Sequence, residues 1–387
     1  MSDRQRFRVV HVPSSVGGNA QGLSSHLRAL GLESEVWTLA PSPFGYWADR
    51  TIWSSGDGFL RREWKRLRAI WRAARDADVI HFNFGTTLAE AMPFRREMDR
   101  GTGRQVKTAV NAVYRCVLLE LELALYRLRG VVAFIHYQGD DARQGEVSRR
   151  FQYAIAHVVG DGYYCRHSDR FKRRMIARMA RYCRQVYAVN PDLLHVLAPG
   201  ARFIPYSHIA IEDWVPVPVA LDEARPLRIG HAPSHRAVKG TDRILAAAAT
   251  LKQEGAAFEL DLIEGLTRAE ARKRYEAIDI MVDQLHAGWY GGLAVEALAL
   301  GKPVIVYLRE EDLQFIPPQM RDDLPFIRAT PDTITEVLRK ALGMSRQELA
   351  DLAKRGRDFV ERWHDPLKIA AEVKSDYEAA LAHRRSH

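Results

Sequence analysis

The stretch GWYGGLAVEALALGKPVIVY, residues 288–307, sets the reading of the whole chain. Two glycines, Gly291 and Gly292, precede an apolar run that carries one carboxylate, Glu296, and the strand-like PVIVY follows almost at once. A helix that starts on glycines lets a ligand approach its first N–H groups, and those groups together with the helix dipole favour an anion. Glu296, about one and a half turns in, is placed to accept hydrogen bonds from ribose hydroxyls. The plainer alternative is a surface helix carboxylate, which the apolar neighbours Ala294, Val295, Ala297 and Leu298 make less comfortable.

The same strand–loop–helix rhythm runs through the chain. In the first half, RFRVVHV, SEVWTL, DVIHFNFG, VVAFIHY and QVYAV read as strands, separated by helix-like stretches at residues 61–75, 108–128 and 166–184. Residues 214–226, WVPVPVALDEARP, are proline-rich and read as a linker. The rhythm then restarts with LRIGH, TDRILAAAATLKQ, FELDLIE and IDIMVD. Such alternation predicts α/β architecture with parallel sheets. The expected division is a first domain over residues 1–215, a second over 216–365, and a closing helix over 366–387.

Ligands of open parallel sheets bind beyond the carboxyl ends of strands, so those loops hold the candidates. After LRIGH, Arg236 and Lys239 stand three apart just before Gly240 and a helix-like run, where two cations neutralise a diphosphate or are simply solvated. The loop lacks the Walker A spacing. At the end of VVAFIHY stands His136, followed by Gly139, Asp140, Asp141 and Arg143. A histidine there either acts on a substrate or is a satisfied structural group, and His81 in VIHFNFG is a similar case. Val16-Gly17-Gly18-Asn19 reads as a strand-to-helix turn. It does not match G-x-G-x-x-G, so a dinucleotide site is disfavoured. Asp76-Ala77-Asp78, formally D-x-D, lies at a helix exit and not where a metal–diphosphate site belongs.

Composition narrows the class. With 47% hydrophobic and 27% charged residues over 387 positions, the chain is a folded protein large enough for two cores. No apolar run approaches the roughly 20 residues of a membrane span. The opening MSDRQRFRVVHVP reads as a first strand and not as a signal peptide, so the expected location is cytoplasmic. Cys116, Cys165 and Cys183 have no metal-ligand spacing, which suits free thiols. The net charge of +9 attracts phosphate-bearing partners. In residues 166–184, Phe171, Met175, Met179 and Cys183 recur every four residues among arginines. That helix either lies on an anionic membrane, at the inner face of the plasma membrane, or packs its stripe into the core. No RNA-binding motif accompanies the charge, and no nucleic-acid partner is expected.

Together these loops resemble the glycosyltransferases of GT-B fold, in particular the large retaining family 4. The resemblance is strongest over residues 227–308. It rests on the R…KG loop, the strand IDIMVD, and the E-A-x-A-x-G-x-P-V motif formed by Glu296, Ala297, Ala299, Gly301, Pro303 and Val304. It implies two Rossmann-like domains facing across a cleft, with the closing segment FVERWHDPLKIAAEVKSDYEAAL crossing back onto the first. By this resemblance Glu296 holds the ribose, and Arg236 and Lys239 stabilise the diphosphate leaving group in place of a metal. His136 lies near the transferring sugar. Gly291, Gly292, Leu293, Gly17, Gly18 and Asp283 complete the donor contacts. The implied substrates are a nucleotide sugar, UDP-linked before GDP-linked, and a glycan or lipid-linked acceptor of cell-envelope or polysaccharide assembly; no cofactor is implied. One departure stands out: the family's second glutamate, eight residues before Glu296, is Gly288 here, and Asp283 or Gln284 is the nearest substitute. That departure leaves open a non-catalytic nucleotide-sugar-binding subunit, and a GT-B-shaped epimerase is a third reading.

Overall fold

The computed structural model describes residues 7–42, 45–91, 102–160, 164–218, 222 and 225–385. The chain forms two compact units, one of residues 1–147, 161–208 and 366–387, the other of residues 148–160 and 209–365.

The first unit is built on seven parallel strands: β1 (Arg8–Val12), β2 (Glu33–Thr38), β3 (Arg50–Thr51), β4 (Val79–Asn83), β5 (Val132–Tyr137), β6 (Gln185–Ala188) and β7 (Arg202–Phe203). Their order is β3-β2-β1-β4-β5-β6-β7. Its long helices are α1 (Asn19–Ala29), α2 (Phe59–Asp76), α3 (Thr102–Leu128) and α4 (Arg166–Tyr182). Alternate strand residues serve two buried faces, which is why β1, β4 and β5 read as nearly continuous apolar runs. One face, with Val10, Ile80, Phe82, Ala133 and Ile135, packs against Ile70 and Ala73 of α2, Leu118 and Leu123 of α3, and Ile176 and Met179 of α4. The other face carries His11, His81, Phe134, His136 and Tyr187.

The second unit has five parallel strands, β8 (Leu227–His231), β9 (Phe258–Leu262), β10 (Ile280–Val282), β11 (Val304–Val306) and β12 (Ile327–Arg328), in the order β12-β11-β10-β8-β9. Its longer helices are α5 (Thr241–Gln253), α6 (Arg268–Ala277), α7 (Gly292–Ala299), α8 (Ile334–Leu342) and α9 (Arg346–Trp363). Each sheet reverses strand order next to its first strand, as doubly wound folds do. The expected α/β architecture with two parallel sheets is therefore present. The closing segment is not one helix: α9 ends at Trp363, and α10 (Pro366–Arg385) starts on a proline, a residue suited to a first helical turn. α10 belongs to the first unit, where Tyr377 packs edge-on against Phe134 with centroids 4.7 Å apart.

Two expectations change. Residues 148–160, expected in the first domain, belong to the second unit. Trp214, expected in a linker, is buried beneath the guanidinium groups of Arg268 and Arg272, and Val217 donates its N–H to the Leu300 carbonyl at 2.9 Å. An indole offers a large apolar face that arginine covers favourably, so the second unit begins by Ile209; residues 219–221 and 223–224 of that stretch lie outside the described residues. Of the two readings of the α4 stripe, core packing is the one present. Met179 and Cys183 are buried, and Phe171 and Met175 pack on the core.

Close approach of backbone to backbone limits one position in α1. A Cβ on Gly22 would lie 1.8 Å from the carbonyl oxygen of Ser207. Gly22→Ala should therefore destabilise the first unit by at least about 1–3 kcal/mol, read as a lower urea midpoint. An unchanged midpoint would show that α1 and the 206–208 loop separate at little cost.

Candidate functional site

In the second unit, Lys239 and Gly291 meet at a buried carboxylate. Asp283 follows β10 and is fully buried. Its Oδ1 accepts from Lys239 Nζ at 2.6 Å, and its Oδ2 accepts from the Gly291 N–H at 2.7 Å, at the start of α7. Lys239 ends the helical turn Arg236–Lys239 after β8 and is itself buried. A Cβ on Gly291 would lie 3.3 Å from Lys239 Nζ and 3.4 Å from Asp283 Oδ2. Gly291 is thus glycine because the chain's own ion pair packs against it. The result is an ammonium group held beside the N-terminus of α7, with Gly292 and Leu293 forming its first turn. An ammonium beside free helix N–H groups is suited to binding phosphate oxygens.

The other candidates of this unit have separate partners. Arg236 is half-exposed and grips Glu264 of the loop after β9 with two bonds, Nε to Oε1 at 2.9 Å and Nη2 to Oε2 at 2.5 Å. That guanidinium holds the Glu264 carboxyl below its usual range. Arg236 and Lys239 do not share a partner, so the sequence pair divides into one exposed and one buried cation. Glu296 is buried on the second turn of α7, and its Oε1 accepts from Arg268 Nε at 3.2 Å and Nη2 at 2.9 Å. Burial raises the Glu296 carboxyl and Arg268 opposes that rise. Arg268, which sequence reasoning missed, thus favours an ionised acceptor at that position.

Gly288, where the resemblance calls for a glutamate, has φ +78. A Cβ there would lie 2.7 Å from the guanidinium carbon of Arg309. That buried guanidinium stacks on Phe151 and bonds Asp312 at 2.9 Å and the Tyr153 carbonyl at 2.9 Å. A cation therefore packs against the position where a carboxylate is expected. Asp283 is committed to Lys239 and Gly291, and Gln284 donates to the Trp289 carbonyl. Both of the substitutes considered from the sequence are thus occupied with loop structure.

In the first unit, Gly17 and Gly18 have φ +64 and +71 and turn the chain from β1 into α1. The next residue, Asn19, donates to Gln138 Oε1 at 3.1 Å and thereby ties this turn to the loop after β5. Asn190 holds the same loop through the Gln138 carbonyl at 2.5 Å. Asp141 accepts from the N–H groups of Gln138 and Gly139, and burial raises its carboxyl to about 6. The D-x-D carboxylates have local work. Asp76 pairs with Arg75, and Asp78 accepts from the Arg8 N–H at 2.9 Å.

His136 belongs to a row of rings laid across the sheet. Successive centroids are 5.2 Å apart from His11 to His81, 4.6 Å from His81 to His136, and 4.8 Å from His136 to Tyr187. His136 Nδ1 lies 2.6 Å from His81 Nε2, and His81 Nδ1 bonds the hydroxyl of Tyr377 on α10. Burial lowers His11 and His136 to about 3 and His81 well below its usual value, so all three are neutral. Among the described residues the Tyr377 hydroxyl has no other acceptor, so it donates to His81 Nδ1. His81 then carries its proton on Nε2 and donates to His136 Nδ1, which leaves the His136 proton on Nε2. His136 thus presents a hydrogen-bond donor and not a base. The histidine in each of RVVHV, VIHFN and VAFIHY was visible in sequence, whereas Tyr377 lies 296 residues from His81.

No protein-family model matches the sequence, and no curated protein matches it. Solved structures do match in fold. Sucrose-phosphate synthase from Thermosynechococcus elongatus is 13% identical with a TM-score of 0.62, covering 98% of this chain and 100% of that one. HepE from Anabaena, in complex with UDP-glucose, is 12% identical with a TM-score of 0.59, covering 97% and 100%. The catalytic domain of starch synthase IV from Arabidopsis thaliana, bound to ADP and acarbose, is 11% identical with a TM-score of 0.58, covering 98% and 100%. The chain has the fold these proteins share, the two-unit α/β architecture called GT-B.

Two measurements test this site. The unfolded histidines bind protons near pH 6.5, and the folded ones only far below it. The unfolded state therefore takes up to three more protons as pH falls from 6.5 towards 3. Stability, fully present above pH 6.5, should fall by up to ~4 kcal/mol per pH unit in that window, and His11→Leu should lessen the slope by about one proton. A flat stability profile from pH 7 to 5 would contradict the neutral row. In nitrogen-15 spectra, His136 should show the Nε2–H tautomer, and Tyr377→Phe should mix the tautomers. An Nδ1–H tautomer in the unaltered protein would overturn the assigned direction.

Proposed function

We propose that this protein is a glycosyltransferase that moves a sugar from a nucleoside-diphosphate sugar to a glycan or lipid-linked acceptor. The observation that carries the reading is Lys239, held by Asp283 beside the N–H groups that open α7, in a chain of GT-B fold. UDP is the proposed carrier: HepE is described with UDP-glucose, although starch synthase IV is described with ADP. Cell-envelope or polysaccharide assembly is the proposed setting, and the mechanism is a retaining one like that of family 4.

In the reaction, the bond between the anomeric carbon and the β-phosphate oxygen breaks, and the electron pair leaves with the nucleoside diphosphate. The acceptor oxygen bonds to the anomeric carbon, and its proton passes to the departing phosphate. Negative charge grows on that phosphate, where a fixed ammonium and helix N–H groups stabilise the transition state more than the ground state. Lys239 and the α7 turn supply those charges, and Arg236 adds a cation from the same loop. Glu296, oriented by Arg268, accepts from the ribose. Gly291, Gly292 and Leu293 line the phosphate, and Gly17 and Gly18 permit close approach of substrate to the first unit. Asp283 acts as a positioning residue. His136 donates its Nε2–H to a substrate oxygen and does not remove the acceptor proton.

Calorimetry with UDP, GDP, ADP and CMP tests the donor class. UDP should bind tightest, and Glu296→Gln should weaken it about tenfold, the worth of a hydrogen bond to a charged group. Lys239→Gln should lower acceptor-independent hydrolysis of the nucleotide sugar by about 100-fold or more, with the fold confirmed by circular dichroism. Near-normal turnover would remove Lys239 from the site. Arg309 beside Gly288 favours a second reading, a nucleotide-sugar-binding subunit without turnover. Tight UDP binding with no hydrolysis and no transfer across an acceptor panel would select it.

A further inference from the structure

The outer surface of α2, α3 and α4 combines two properties that seldom occur together on a water-exposed layer. All three helices cover one face of the first unit's sheet and bury their inner sides in its core. On α2, however, the side turned away from the core is apolar as well. Leu60, Trp64, Leu67 and Trp71 recur at helical spacing and are exposed, Leu60 at 81% and Trp64 at 59%. On α3, Val106, Val110, Val113, Val117 and Leu121 form a second exposed row at the same spacing. Glu63 joins the two helices, accepting from Tyr114 at 2.9 Å and from Arg115 at 2.9 Å, so α2 and α3 lie next to each other. A groove of about 680 Å³ separates α3 from α4, with Leu119, Leu123, Phe171 and Met175 on its walls.

The charge of this layer is equally one-sided. By formal count α2 carries +5, α3 +2 and α4 +6, together +13, whereas the whole chain carries +9. The rest of the protein is therefore net acidic, and the excess of cations lies on the layer that carries the exposed apolar rows. Arg68 and Arg75 lie over Trp64 and Trp71, with guanidinium carbons 5.3 and 4.8 Å from the ring centroids. Tryptophan beside arginine suits the boundary between acyl chains and headgroups. Among the described residues, no helix is long and apolar enough to cross a membrane. A basic, two-row apolar layer of this kind lies on a membrane and does not span it.

We infer that the outer face of α2, α3 and α4 is a docking surface for an anionic lipid bilayer. The aliphatic rows enter the headgroup boundary, and the arginines of α2 and α4 contact lipid phosphates. The cytoplasmic leaflet, with its negative surface potential, is the matching surface. A nucleic acid fits less well, because it would leave the valine row of α3 without an apolar partner. This surface belongs wholly to the first unit, so vesicle binding and nucleotide binding fail independently.

The test is co-sedimentation of the full chain with phosphatidylcholine vesicles, with and without about one third phosphatidylglycerol. The protein should pellet only with the anionic vesicles and be released by added salt. Trp64→Ser with Trp71→Ser, and separately Arg68→Glu with Arg174→Glu, should each weaken partitioning at least about tenfold. These positions are exposed, and unchanged circular dichroism and melting temperature verify the fold. Failure to pellet with anionic vesicles at low salt would overturn the inference. So would binding by both double variants that is as tight as that of the unaltered protein. Loss of a dimer in the tryptophan variant would assign the surface to a second copy, and salt-sensitive binding of a short RNA without vesicle binding would assign it to nucleic acid.

Discussion

The buried carboxylate of Asp283 is the constraint on which the second unit's functional end depends. It lies where β10 ends, and its two oxygens hold one group from each neighbouring loop, the Lys239 ammonium and the Gly291 N–H. Neither contact stands without the other. Without Asp283, Lys239 would be a buried charge without its carboxylate, and breaking such a pair costs about 3–5 kcal/mol. Without Lys239, Asp283 would be an uncompensated anion at the start of α7. The loop after β8, the loop after β10 and the first turn of α7 are consequently one mechanical piece. Under the proposed function, a donor phosphate meets a cation and N–H groups already in place, so little reorganisation opposes its binding.

The first unit's sheet carries neutral rather than charged groups on the face that bears His136. Three stacked, buried histidines cannot all be protonated, and burial keeps them neutral. Neutrality makes each hydrogen bond directional, so a hydroxyl at one end decides which nitrogen of His136 bears hydrogen at the other. That hydroxyl comes from α10, the last helix of the chain. Its return to the first unit thus does more than bury Phe134: it determines the chemistry His136 can perform.

The helical layer on the opposite face of that sheet shows how composition and placement differ in meaning. A net charge of +9 implies only a general attraction to anions. Beside the exposed leucines, tryptophans and valines of α2 and α3, the arginines of α2 and α4 make the same charge fit the bilayer surface inferred above. The basic helix α4, whose apolar stripe suggested membrane contact by itself, turns that stripe into the core. It contributes charge to the layer, while the apolar rows come from α2 and α3.

Periodicity, glycine placement and strand composition were enough to set out the two-sheet α/β fold, because each reflects local sterics and one-dimensional patterning of apolar residues. The start of α7 after Gly291, the whole of α5, and the strands carrying His81 and His136 were legible for that reason. So was the cluster of candidate site loops, since parallel sheets put their functional loops at one end. Pairing was not legible, because it depends on which loops the fold brings together. The partition of Arg236 to Glu264 and Lys239 to Asp283, the Arg268 partner of Glu296, and the Arg309 guanidinium beside Gly288 all join residues from different loops. The tautomer of His136 was the least accessible of all, since a proton's position depends on a tyrosine at the far end of the chain. Sequence determined what each segment could become; the tertiary structure decided which charges meet, because Coulombic and hydrogen-bond energies depend on distances that only the folded chain sets.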